Sequence, residues 1–226
     1  MTTATTKKTI SKQQKNKKML KHGKNVGVVK LSHTSKMPCD SWSLEAGTTC
    51  PGAKYSNGTI CGICKHCYAR KGFYRMDNAT KVRRDNWQAW QADSFVSDFI
   101  QALDRVELFR WFDSGDIANK ALAEKIYQIC LATPHCKHWI PTKSYTVESI
   151  LPVIEKLEAL PNVTVRRSAR EIDADMPKNG TLTCTVNSLP DAFHGVQCPA
   201  YKNDGKCGSC RACWNKDISN ISYLIH

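Results

Sequence analysis

Between residues 78 and 104 the apolar side chains Trp87, Trp90, Phe95, Val96, Phe99, Ile100 and Leu103 recur at helical spacing, which predicts one amphipathic helix. Leu108-Phe109-Arg110-Trp111-Phe112 follows and stops at the polar turn Asp113-Ser114-Gly115-Asp116, the pattern of a strand and its exit. The succession then repeats. Residues 118–131 read as a second helix, residues 138–140 as a short strand closing in Pro141-Thr142-Lys143-Ser144, and residues 147–160 as a third helix despite Pro152. Residues 163–167 and 181–186 fit two further strands.

Alternating strands and helices build a parallel sheet with right-handed crossovers. The expected fold class is α/β, with the sheet either open or curled into a partial (βα) barrel. Loops that follow the strands of such a sheet gather along one edge, where ligands bind. Three strand ends bring polar groups there: Asp113, Ser114 and Asp116, then Thr142, Lys143 and Ser144, then Arg166, Arg167 and Ser168. Asp116 suits an ammonium group, and Lys143 or an arginine suits a carboxylate. Ser114 or Asp116 also fits as the N-cap of the following helix.

Twelve cysteines change the picture. Eight fall into two blocks, Cys50, Cys61, Cys64 and Cys67, and Cys198, Cys207, Cys210 and Cys213. Thiolates two residues apart cannot easily bridge to each other but can turn around one ion or cluster, so both blocks read as metal-ligand loops. A disulfide scaffold would need an oxidising compartment. The first thirty residues carry nine lysines, no acid and no apolar run of signal-peptide length, and no later stretch approaches a membrane span. The expected setting is therefore the cytoplasm, with no membrane. Cys39, Cys130, Cys136 and Cys184 read as packing residues.

Charge divides the chain. Of the formal +13, the first thirty residues carry +9. Residues 1–30 are expected to be a disordered basic tail able to meet nucleic-acid phosphates, or merely solubilising. Residues 31–226 form one domain, in which the segment from about residue 190 carries the second cysteine block. His66 fits a solvated histidine better than a ligand, and Trp87 with Trp90 fits core packing better than base stacking. No phosphate loop, Ser-His-Asp order or His-Glu-x-x-His motif is present, which removes hydrolase and kinase classes.

Several stretches resemble one family. Trp42-Ser43-Leu44, Thr49-Cys50-Pro51-Gly52, Cys64-x2-Cys67-Tyr68-Ala69-Arg70-Lys71-Gly72-x-Tyr74-Arg75, Phe109-Arg110-Trp111-Phe112-Asp113-Ser114-Gly115-Asp116, Lys137-His138-Trp139-x-Pro141-Thr142, Asn162-Val163-x-Val165-Arg166-Arg167-Ser168 and Gly205-Lys206-Cys207-x2-Cys210-Arg211-Ala212-Cys213-Trp214 look like the phage gene-product-eighty-eight family, over about residues 37–226. That family is itself similar to radical S-adenosylmethionine enzymes. The resemblance implies a partial barrel with a 4Fe-4S cluster on three cysteines, here Cys50, Cys64 and Cys67, and an aromatic neighbour, here Tyr68. Ser114 and Asp116 stand where such enzymes receive the cofactor's ammonium, with Lys143, Arg166 and Arg167 nearby. Cys61 is either a bystander or a fourth ligand that would close the cluster.

The second block suffices for an auxiliary 4Fe-4S cluster or a zinc ion, which spacing alone does not separate. Two functions follow as expectations: an iron-sulfur enzyme of radical S-adenosylmethionine type served by an electron donor such as flavodoxin or ferredoxin, or a non-catalytic metal-stabilised protein binding nucleic acid or a host protein.

Overall fold

The computed structural model describes residues 18–175, 180–189 and 195–225. Its strands are β1 (Ser32–His33), β2 (Asp40–Trp42), β3 (Leu108–Trp111), β4 (Lys137–Thr142), β5 (Val163–Ser168), β6 (Thr183–Asn187), β7 (Val196–Gln197) and β8 (Asn220–Leu224). Its α-helices are α1 (Gly62–Lys65), α2 (Asp77–Ala89), α3 (Phe95–Ala102), α4 (Lys120–Ala132) and α5 (Leu151–Ala159). All eight strands form one sheet in the order β1-β2-β3-β4-β5-β6-β8-β7. β1 pairs antiparallel with β2, and every other pair is parallel. The α/β class and the parallel sheet agree with the alternating apolar pattern.

From β2 to β6 each strand adds on the same side of the one before. Right-handed crossovers in a single direction put the connecting helices on one face of the sheet. Alternation along β3 shows the consequence: Phe109 and Trp111 enter the helix-side core with Trp42, Phe95, Phe99 and Ile126. There Phe99 stacks on Trp111 at 4.7 Å between centroids. Leu108 and Arg110 turn to the opposite face. That face is covered by the C-terminal segment, whose Trp214 packs on Trp139 and Cys39.

Several expectations need correction. The helix over 78–104 is two helices, α2 and α3, because the Lys125 ammonium from α4 donates to the carbonyls of Trp90 and Ala92 at 2.9 and 3.0 Å and so satisfies a broken turn. Neither Ser114 nor Asp116 caps α4; Asn119 does, its side chain accepting from Leu122 N. The C-terminal segment adds to the same sheet, where β8 lies between β6 and β7. Residues 1–17 of the expected tail lie outside the described residues, but the body begins before residue 31. Leu20 N donates to Arg105 O at 2.6 Å, Glu107 N donates to Leu20 O at 3.2 Å, and Val29 is fully buried. Leu20, Val26, Val28 and Val29 supply apolar surface that the lysines around them mask in a composition count.

Candidate metal centres at the sheet edge

The chain leaves β2 across the edge where the parallel strands end. Ser43 Oγ hydrogen-bonds the Asp113 carboxylate and accepts from Asp113 N at 3.0 Å, and Leu44 N donates to Ser114 O at 3.1 Å. These bonds tie the start of the first cysteine loop to the exit of β3. Further on, a Cβ on Gly52 would stand 2.1 Å from the Lys143 carbonyl oxygen, so only glycine lets the loop lie against the exit of β4. The exit of β5 holds the rest. Arg170 donates to Lys54 O at 2.6 Å and covers the Tyr55 ring, while Glu171 accepts from Gly62 N at 3.0 Å. Three strand ends thus position Cys50, Cys61, Cys64 and Cys67.

Cys50, Cys64 and Cys67 line a cleft of about 1020 Å³, together with Arg70, Tyr74, Arg75 and Arg84. Cys61 does not line it and is fully buried. The Cys61 and Cys64 thiols are hydrogen-bonded, which lowers Cys61 to about 6 and raises Cys64. Burial, and then the charge of Asp116, pushes Cys50 up to about 12 despite the hydrogen bond from Gly47 N at 3.5 Å. The Lys143 ammonium favours the thiolate at Cys50, Cys61 and Cys64. Burial pulls that ammonium down, but the surrounding thiols and Asp116 more than offset it.

The second block lies on the face opposite the helices. Cys198 N donates to Ser222 O at 2.9 Å and Cys207 N to Lys36 O at 2.9 Å, which anchors one thiol to β8 and one to the loop before β2. Burial raises Cys198 and Cys207 and pushes Cys213 to about 12, and Cys213 Sγ lies 3.5 Å from the Tyr223 hydroxyl. The Arg110 guanidinium counters burial at Cys198, Cys207 and Cys213. Cys39, Cys130, Cys136 and Cys184 are buried, in keeping with packing, and His66 is exposed at the end of α1. Trp87 and Trp90 meet edge to face at 5.6 Å against the core.

Most of the strand-end groups expected to bind a cofactor are spent on the protein. The Asp116 carboxylate accepts from Ile117 N, Thr142 Oγ1 and Lys143 N at 2.7, 2.6 and 2.8 Å, so it joins the exits of β3 and β4. Ser114 Oγ donates to Leu44 O and accepts from Arg83. Arg166 is fully buried, and its guanidinium donates to the carbonyls of Cys213, Thr183, Ile218, Ala212 and Asn215. Arg167 turns to the helix face and forms a two-bond pair with Glu158 at 2.8 Å. Tyr68 donates its hydroxyl to Asp113 O at 2.7 Å beside the first block. Of this set, Lys143 keeps its charge directed at the thiols.

Sequence reasoning missed Arg110. It lies over the Trp139 ring at 4.5 Å, and its Nε is buried without a hydrogen-bond partner among the described residues. The signal was present: one cation inside the apolar run Leu108-Phe109-Arg110-Trp111-Phe112. Among the described residues, only His22, His33 and Asp40 bring three possible ligand atoms close enough to share one metal ion, and their irregular spacing gives no motif by which to find them. No helix of the described residues is long and apolar enough to cross a membrane.

No curated protein and no solved structure matches this chain. The profile of gene product 88 matches residues 6–216, which take in both cysteine blocks and every strand from β1 to β7, and the chain belongs to the gene product 88 family.

Proposed function

We propose that this protein is an iron-sulfur enzyme of radical S-adenosylmethionine type, with Cys50, Cys64 and Cys67 holding a reactive 4Fe-4S cluster and Cys198, Cys207, Cys210 and Cys213 an auxiliary one. The observation that carries the reading is that Cys50, Cys64 and Cys67 line a solvent-open cleft, while Cys61 is buried behind them with its thiol hydrogen-bonded to that of Cys64. A four-iron cluster on three thiolates supplies an electron and one iron open to a chelating ligand. Strands that add in a single direction, with helices on one face only, suit a partial barrel whose mouth is the cysteine edge.

The donor set fits this cargo. Soft thiolates favour iron-sulfur clusters or zinc. Lys143 favours the thiolate form of the first block, and Arg110 does so for the second. Lys54, Arg70, Arg75, Lys81, Arg83 and Arg84 outnumber Glu45, Asp77 and Asp85 around the cleft, an excess of positive charge suited to a carboxylate-bearing ligand. A groove beside Cys210 presents Lys21, Lys36, Lys137, Lys206 and Arg211, a complement to an acidic electron donor such as flavodoxin or ferredoxin.

Anaerobic reconstitution tests the reading. It predicts on the order of eight irons per chain, the content of two cubane clusters, and reductive cleavage of S-adenosylmethionine when dithionite is supplied. Cys64→Ala and Cys67→Ala should each lose the first cluster and keep the second, while Cys61→Ala keeps both. Equal iron loss in Cys61→Ala would make Cys61 a fourth ligand and sink the open-site reading.

A second reading, a non-catalytic metal-stabilised binding protein, draws on the way Arg166 stitches the second block to the sheet. Colourless, zinc-loaded protein from anaerobic purification would favour it.

A further inference from the structure

At the edge opposite the cysteine loop, β1 and β2 pair with His33 across from Asp40. The segment before β1 brings His22 to the same carboxylate. Both imidazoles direct Nδ1 at Asp40 Oδ1, His22 from 2.6 Å and His33 from closer still. The rings stand edge to face at 4.8 Å between centroids. Asp40 Oδ2 accepts from Gly23 N at 2.8 Å. Asp40 has no solvent exposure, whereas the His22 and His33 side chains are 43% and 57% exposed.

A carboxylate buried this completely requires compensation. Hydrogen bonding alone would crowd two ring nitrogens onto one oxygen, although both rings are free at the surface to turn elsewhere. A shared cation resolves the crowding, because imidazole nitrogen and carboxylate oxygen each bind zinc at about 2.0 to 2.2 Å and a small outward swing of the exposed rings admits the ion. The Gly23 amide then orients the carboxylate from behind, as groups around metal ligands commonly do. Two imidazoles and one carboxylate suit a borderline divalent ion and leave positions for water. We propose that His22, His33 and Asp40 form a thiol-free site for a divalent first-row cation. The ion fastens residues 18–30 to the first strands of the sheet, and the site is independent of either cysteine block.

Cobalt(II) is the probe, titrated anaerobically into protein whose thiols already carry their own metal. The site predicts one further equivalent with weak visible d–d bands and no thiolate-to-cobalt charge transfer. Bound cobalt should also slow tryptic cleavage after Lys21, Lys24 and Lys30. His22→Ala and His33→Ala should each weaken this binding at least tenfold. His33→Gln keeps an amide N–H for Asp40 but removes the ring nitrogen, so it should fold normally and still lose cobalt. Cobalt binding as tight in His33→Gln as in the wild type, or cobalt bound only with thiolate charge transfer, would overturn the site and leave a hydrogen-bonded buried carboxylate.

Discussion

Trp111 donates its indole N–H to His138 Nδ1 at 3.2 Å, while Thr133 Oγ1 lies 2.9 Å from Nε2 and donates its own proton to Ile129 O at 2.7 Å. The proton of the imidazole therefore sits on Nε2, and a second one at Nδ1 would face an indole N–H. Burial, reinforced by His135, lowers His138 from 6.5 to about 3. Between those values the unfolded chain holds a proton that the folded chain does not, so stability present above pH 6.5 falls as pH drops towards 3 and then levels. Urea midpoints between pH 7 and pH 4 should decline less in His138→Gln than in the wild type; parallel declines would assign the acid limb to other groups. Arg166 is the opposite case, a permanent cation accommodated in the interior because each of its donors meets a carbonyl.

At the scale of elements, that guanidinium joins the C-terminal segment to β5, together with Thr164, whose hydroxyl donates to Trp214 O at 3.0 Å. Lysine offers a point charge where the carbonyls of Ala212, Cys213 and Asn215 need a fork. Arg166→Lys is expected to cost roughly 3 kcal/mol of stability and, if both blocks hold metal as proposed, to release it from the second alone, read by calorimetry and metal analysis; equal loss from both would show that the two blocks do not depend on separate elements. The central strands and the helices were legible because their apolar periods are strong: β3, β4, β5, α4 and α5 fall within or near their expected spans. β1 and β7 have two residues each, and β2 reads Asp40-Ser41-Trp42; pairing with β3 and β8, distant in sequence, makes strands of β2 and β7, and β1 follows by pairing with β2. The break between α2 and α3 was hidden because apolar spacing runs straight through it, and the lysine that repairs it comes from α4. The cysteine blocks were legible from spacing alone. The strand-end charges were legible in place but not in partner: Asp116 and Arg166 bind backbone that arrives from other elements, which no local pattern records.

For the molecule as a whole, charge is unevenly spread along the chain. Residues 1–17 hold five of the thirty-three basic side chains and none of the acids. If they meet phosphates, deleting them should lower the slope of log affinity against log salt by about 0.9 for each phosphate of duplex DNA that they neutralise, with the melting temperature of the body unchanged. An unchanged slope in filter-binding titrations would make them a solubilising extension. The exits of β2 and β3 are closed by a bond from Asp113 N to Ser43 Oγ that spans 70 residues of chain, and the whole first cysteine loop lies between those anchors. Long-range closures of this kind fold slowly. Until β2 finds β3, the four thiols of that loop are ordinary accessible cysteines, open to sulfenic acid and mixed-disulfide formation. Oxygen exposure during synthesis thus competes directly with sheet closure, and the share of chains that keep those four thiols reduced should be decided by which of the two finishes first.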